Sequence, residues 1–283
     1  MTPGKRVLKR TIIIIIYLII FSLLGTGFYY IFRTKPTCSD GQQNQGEAGV
    51  DCGGPCSVKC EDIPKIENVR VLEKAVLPAS AGKYDAMAKI NNPNPQFGVA
   101  QFDYSFNLLD GSGNIIGQSE GSSFILPAQT KYILAFNLDS PAQPKSMDFK
   151  IRSFKWTKFS EYEEPLIQIY SKEFNLVNAG SNFATLKAKI KNQSSYDFRT
   201  ITAKAVIRND QNAPVALNQT SVNDVRVNEE REVVFNWGSR FQVGSGTPSV
   251  EIETEANFFS DENFMKKYGS PDQYKTYDIN PGP

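Results

Sequence analysis

An all-β ectodomain is predicted: two tandem β-sandwiches follow one N-terminal transmembrane helix and a small disulfide-rich segment. Three observations predict it: a single long apolar run at 11–32, apolar residues alternating with polar ones through much of the remainder, and a duplication with an offset near 100 residues. Sustained helical periodicity is confined to the N-terminal run.

Residues 1–10 form a basic tail carrying Lys5, Arg6, Lys9 and Arg10, and residues 11–32 are almost free of charge. A helix of that length rises about 33 Å, enough to cross a hydrocarbon core of about 30 Å. The basic excess before the run keeps the N-terminus in the cytoplasm and sends the rest to the extracellular or periplasmic side. A cleaved signal peptide shares the charged start, but its apolar region is shorter and ends at small residues. Here Gly25-Thr26-Gly27 is followed by bulky Phe28-Tyr29-Tyr30, aromatics suited to the outer interface of a retained helix. The expectation is therefore a single-pass signal anchor, with the lipid bilayer as its first partner. Lys35-Pro36-Thr37 ahead of Cys38 is not a lipidation box.

Composition excludes more than it names. Lys plus Arg, 31, balances Asp plus Glu, 30, so no global field points to nucleic acid. Histidine is absent, which removes Ser-His-Asp and Cys-His catalysis and every zinc site that needs imidazole. An enzyme is not expected.

All four cysteines, Cys38, Cys52, Cys56 and Cys60, fall in the neck at 33–61. An even count in a translocated segment with little apolar material reads as two disulfides, with three pairings open. A four-thiolate zinc site is the weaker alternative, since no C-x2-C pair exists. Asp40, Asn44, Glu47 and Asp51 are candidate calcium ligands by their oxygen chemistry. Their spacing is not that of an EF-hand, and Asp-Gly and Asn also stabilise turns. Turns are the preferred reading, calcium the alternative. The run from Cys38 to Cys56 resembles a small module of secreted and surface proteins with pattern C-x-D-G-x-x-N-x-x-E-x-G-x-D-C-G-G-x-C. That resemblance implies extracellular presentation and no activity.

The duplication begins with Ala88-Lys89-Ile90-Asn91-Asn92, which recurs as Ala188-Lys189-Ile190-Lys191-Asn192. Eighteen residues later the copies reach Asp110 and Asp210, and Ala135-Phe136-Asn137 answers Val234-Phe235-Asn236 with one residue lost. A domain-sized unit makes a tandem pair: sandwich 1 over 62–157, a linker over 158–165 and sandwich 2 over 166–260. Phe102, Tyr104, Phe106 and Leu108 alternate with polar residues, as do Ile201, Ala203, Ala205 and Ile207, so both runs read as half-buried strands. Leu109-Asp110-Gly111-Ser112-Gly113-Asn114-Ile115-Ile116 reads as a hairpin, not a phosphate loop, because it leads into a strand instead of a helix.

Asn91-Asn92-Pro93-Asn94-Pro95, the Leu109–Gly117 run and Leu126-Pro127-Ala128 together resemble an FxLYD or late-embryogenesis-abundant-like domain of immunoglobulin type. The second copy keeps Asn192 and Asp210 but lacks the double Asn-Pro and the glycines. The resemblance implies immunoglobulin-like sandwiches, usually non-catalytic and often attached to envelopes.

Lys150, Arg152, Lys155 and Trp156 form the best candidate binding patch, basic and aromatic in alternation, for an anionic glycan or lipid headgroup. A terminal strand with one wet face explains the same pattern. Glu161, Glu163 and Glu164 read as a solvated linker instead of a catalytic carboxylate pair. Asn192-Gln-Ser194 and Asn218-Gln-Thr220 fit the glycosylation pattern. Residues 260–269 read as a short helix within a polar tail at 261–283. The expected function is a membrane-anchored, non-enzymatic surface protein that binds or presents partners, among them other envelope proteins or surface glycans. The alternative is a spacer subunit of an envelope, pilus or secretion assembly. No cofactor other than calcium is expected.

Overall fold

The computed structural model describes residues 3–32, 38–39, 42–44, 46–60, 64–152, 155–159, 164–177, 182–257, 259 and 276–277. Met1–Lys65 and Ile66–Pro283 form two compact units. The expected helix at 260–269, the Glu161 and Glu163 positions and Asp40 lie outside the described residues.

In the first unit, α1 runs Pro3–Phe32. Its described side chains, at 13–29, are exposed on every side, from Ile13 to Tyr29. Among the described residues no helix is long and apolar enough to cross a membrane.

The second unit is all antiparallel sheet. Its strands are β1 (Arg70–Ser80), β2 (Lys83–Asn91), β3 (Phe97–Leu109), β4 (Ile115–Ile125), β5 (Thr130–Asp139), β6 (Ser146–Arg152) and β7 (Trp156–Lys158). They continue as β8 (Ile167–Leu176), β9 (Ala184–Asn192), β10 (Phe198–Arg208), β11 (Pro214–Val225), β12 (Glu230–Trp237), β13 (Ser249–Glu255) and β14 (Thr276–Tyr277). β1-β2-β5 form one sheet, and β3 is central in another, flanked by β4 and β6. The second copy repeats the plan: β8, β9 and β12 form one sheet, while β10 lies between β11 and β13. The duplicated sequence therefore encodes a duplicated pairing order.

Period-two patterning places the cores. Ala86, Ala88 and Ile90 of β2 meet Phe102, Phe106 and Leu108 of β3 and Phe149 of β6 in the first buried cluster. Ala188 and Ile190 of β9 meet Ile201, Ala203, Ala205 and Ile207 of β10 in the second. β14 pairs with β7, so the expected polar tail returns to the first repeat as a short strand.

Each repeat is closed by one buried asparagine. Asn92 Nδ2 donates to the Phe97 and Leu126 carbonyls at 2.6 and 2.7 Å, and its Oδ1 accepts the Asn94 N–H at 3.0 Å. Asn192 Nδ2 donates to the Tyr196 carbonyl at 2.9 Å and Arg226 carbonyl at 3.2 Å, with Oδ1 accepting the Ser194 N–H at 3.0 Å. Residue 94 or 194 then holds the segment leading to the first strand. Asn94 Nδ2 donates to the Glu67 carbonyl at 2.8 Å, and Ser194 Oγ accepts the Leu166 N–H at 2.9 Å.

Two sequence equivalences shift by one residue. Asp110 Oδ1 accepts the N–H groups of Ser112 and Asn114 across the β3–β4 turn. In the second repeat Asn209, not Asp210, makes the matching bonds, to Gln211 and Ala213. The partner of Ala188 is Val233 as that of Ala88 is Ile133, so buried Ala135 corresponds to Phe235 and Phe136 is left outside.

Candidate functional site

The neck is organised by covalent cross-links and glycines. Cys38 pairs with Cys56 and Cys52 with Cys60, which selects one of the three pairings. Gly54 has φ +57°, and a Cβ there would lie 2.1 Å from the Gly46 carbonyl oxygen. The double glycine of C-G-G-x-C is thus a steric requirement of the fold. Glu47 is buried, and its Oε2 accepts the N–H groups of Asn44 at 3.3 Å and Asp51 at 3.2 Å. Its Oε1 lies 3.2 Å from Cys56 Sγ. Cys38, Glu47 and Cys56 sit close enough to suggest a metal cluster, but both sulfurs are consumed by the disulfide.

The basic and aromatic patch does not assemble as expected. Trp156 is fully buried in the first core, because β7 pairs with β3 at Val99 and turns the indole inward. Lys150 and Arg152 are exposed on β6, as is Lys155 ahead of β7. Lys150 faces Asp148 at 3.4 Å and Arg152 faces Glu120 at 3.5 Å. What remains is a wet strand face with its charges partly compensated.

The polar residues in the second half of β10 are not on a wet face. Thr202, Lys204, Val206 and Arg208 alternate with the core residues, and from Lys204 onward they meet the first repeat. Met87, Tyr132 and Leu134 of the first repeat pack with Val206 and Leu217 of the second. Around this apolar centre lies a network of charge whose cations, Lys131, Lys204 and Arg208, are buried. Arg208 holds Glu73 of β1 through two bonds of 2.8 and 2.6 Å, Glu251 at 2.5 Å and the Tyr132 hydroxyl at 3.0 Å. Lys131 and Lys204 both meet Glu255 Oε2, at 2.5 and 2.9 Å. Tyr132 lies on the free edge of β5, and both its backbone groups are taken by the second repeat. Its N–H donates to Glu253 at 2.9 Å, and its carbonyl accepts Lys204 Nζ at 2.6 Å.

Burial sets the electrostatics of this seam. It pushes the Glu253 carboxyl up to about 7, against the pull of Lys204. It draws the Lys131 ammonium down to about 8, with the like charge of Lys204 adding to the effect. For Glu255 burial is outweighed by Lys131 and Lys204, and the carboxyl sits below its ordinary range. The bonds to Glu73 hold Arg208 firmly charged.

Beside the seam lies a cleft of about 290 Å³, walled by both repeats. The first repeat contributes the end of β1 together with Asp85, Phe136 and Asn137. The second contributes Asn218 of β11, the end of β12 and the segment carrying Arg240. The β2–β5 register shifts here, from Tyr84↔Leu138 to Ala86↔Ala135, so Phe136 and Asn137 share the space opposite Asp85. This bulge leaves Phe136 37% exposed and puts Asn137 at φ +57°. Asp85 Oδ1 accepts the Asn137 N–H at 2.9 Å, and burial pushes the Asp85 carboxyl up.

No protein-family model matches the chain, and no curated protein matches it in sequence. The seam and the cleft escaped sequence reasoning because Glu251-x-Glu253-x-Glu255 and Lys204-x-Val206-x-Arg208 carry the alternation of a solvent-facing strand. The available signal was their complementary sign on equivalent flanking strands.

Proposed function

We propose that this chain is a membrane-anchored, non-enzymatic protein that carries two immunoglobulin-like β-sandwiches on the extracytoplasmic side and binds or presents partners there. The seam carries this reading: a buried, charge-matched contact joins the repeats into one presenting body with a cleft at its edge. The two-sheet plan around each core supports the sandwich assignment, and the repeated Asn clasp supports the resemblance to FxLYD-type domains. The anchor rests on the run at 11–32 and on a helix with exposed apolar side chains all round. Two disulfides in 38–60 support an oxidising compartment. The perturbed carboxylates of the seam, Glu251, Glu253 and Glu255, are committed to ion pairs there, which favours binding over acid–base chemistry.

Protease added to intact cells, and to spheroplasts where an outer membrane encloses a periplasm, followed by detection of N- and C-terminal tags, tests the topology. Loss of the C-terminal tag with retention of the N-terminal one is expected; protection of both would sink the reading. Pull-down from native membranes with the intact chain and with a form lacking residues 1–35 then locates the binding surface. A partner captured by both forms places it in the repeats. Capture by the anchored form alone would favour a spacer within a membrane assembly.

A further inference from the structure

The cleft combines features that stability alone does not favour. The β5 bulge holds a non-glycine residue, Asn137, in the left-handed region, presents the Phe136 ring to solvent and keeps the Asp85 carboxyl half-buried. In the second repeat the corresponding pairing, from Ala184↔Trp237 to Lys191↔Glu230, runs without a shift, so the plan of the repeat does not require the bulge. The ionisable side chains lining the cleft are one Asp and one Arg, a balance that selects no strongly charged ligand. The Asn137 amide offers donors and an acceptor beside a flat apolar ring. Asn218, whose Nδ2 donates to the Asn236 carbonyl and whose Oδ1 accepts the Gln219 N–H, keeps one further proton and lone pair. A partner matching that wall has hydroxyls around its edge and an apolar C–H face.

We propose that the cleft binds a neutral pyranose ring, the terminal or internal unit of a surface glycan. Phe136 packs under the C–H face, while Asp85, Asn137, Asn218 and Arg240 take the hydroxyl groups. The volume suits one ring, with further units lying outside. This rests on the reading of the chain as a binding protein and gives that reading a ligand class. Protease accessibility decides the membrane reading independently of any sugar.

The test uses the full chain in phosphocholine nanodiscs, which avoids sugar-headed detergents. Methyl glucoside, methyl galactoside, methyl mannoside, N-acetylglucosamine and its oligomers are titrated by saturation-transfer NMR and calorimetry. Saturable binding of at least one of them is expected. Phe136→Ala weakens it about tenfold or more, the loss of one aromatic contact. Because the residue is only 37% exposed the unfolding midpoint also falls, and binding is compared at a temperature where both forms are folded. Asp85→Asn keeps the acceptor for the Asn137 N–H and is expected to weaken the same sugar about fivefold, a partial loss of one polar contact. No saturable binding by any panel member overturns the proposal. So does binding unaltered by both substitutions, or a cleft that takes a lysine tripeptide and no sugar.

Discussion

Asn192 shows how a local pattern changes meaning once the chain folds. Asn-Gln-Ser at 192–194 has the form of a glycan acceptor, yet the Asn192 side chain is wholly buried with its amide tied to backbone carbonyls. Its counterpart Asn92 does the same work, so the recurrence of that residue reflects loop closure. Asn192→Ala strands several buried carbonyls and is expected to cost about 3 kcal/mol, read as a lowered urea midpoint at unchanged m-value. Gly54 is a second such position. Gly54→Ala adds a Cβ against the Gly46 carbonyl at positive φ and is expected to yield mispaired or incompletely oxidised neck. Non-reducing peptide mapping of the Cys38–Cys56 and Cys52–Cys60 links would show it. Unaltered pairing would mean that the neck relaxes more than its geometry implies.

At the level of strands, β10 carries two cores at once, one on each face. Ile201, Ala203, Ala205 and Ile207 serve the second repeat, and Lys204, Val206 and Arg208 serve the seam. Arg208→Met removes the cation from Glu73 and Glu251. Such a change is expected to destabilise by about 1–2 kcal/mol, because the Glu73 and Glu251 side chains are 30% and 36% exposed and water takes up part of the loss. Recovery in a variant that also carries Glu73→Leu and Glu251→Leu would separate that penalty from lost packing. Glu253 makes the seam pH-dependent. Its folded pKa of about 7 lies above the ordinary 4.5, so its contribution is fully present below about pH 4.5 and is lost as pH rises through 7. Wild type is therefore expected to lose about 3 kcal/mol of stability across that window from this group. Glu253→Gln should remove the step, as urea midpoints between pH 4 and 8 would reveal. Glu255 works the other way: its lowered pKa gives stability present above 4.5 and lost as pH falls through the folded value.

For the whole molecule, the seam predicts that the repeats hold one mutual orientation. Spin labels at Gln118→Cys on β4 and Lys172→Cys on β8 are expected to give one narrow distance distribution. Arg208→Glu is expected to broaden it. A broad distribution in the parent protein would mean that the repeats move independently despite the buried network. The basic patch marks the opposite case, where a sequence feature dissolves in the fold: Trp156 belongs to the first core and leaves Lys150, Arg152 and Lys155 without their aromatic partner.

Strand character, the β3–β4 hairpin and the tandem repeat were legible in the chain because each depends on residues near one another in sequence. Alternation reports a strand, Asp-Gly and Asn report a turn, and a recurring Asn reports a copied loop. The even number of cysteines announced cross-links in the same way. Disulfide pairing, the bulge at Phe136 and Asn137, and the burial of Lys131, Lys204 and Arg208 were decided only by the tertiary structure. Alternation says which residues of a strand share a face, but not whether water or another sheet lies against it. That depends on contacts such as Glu73 with Arg208, 135 residues apart in the chain, which no local pattern encodes.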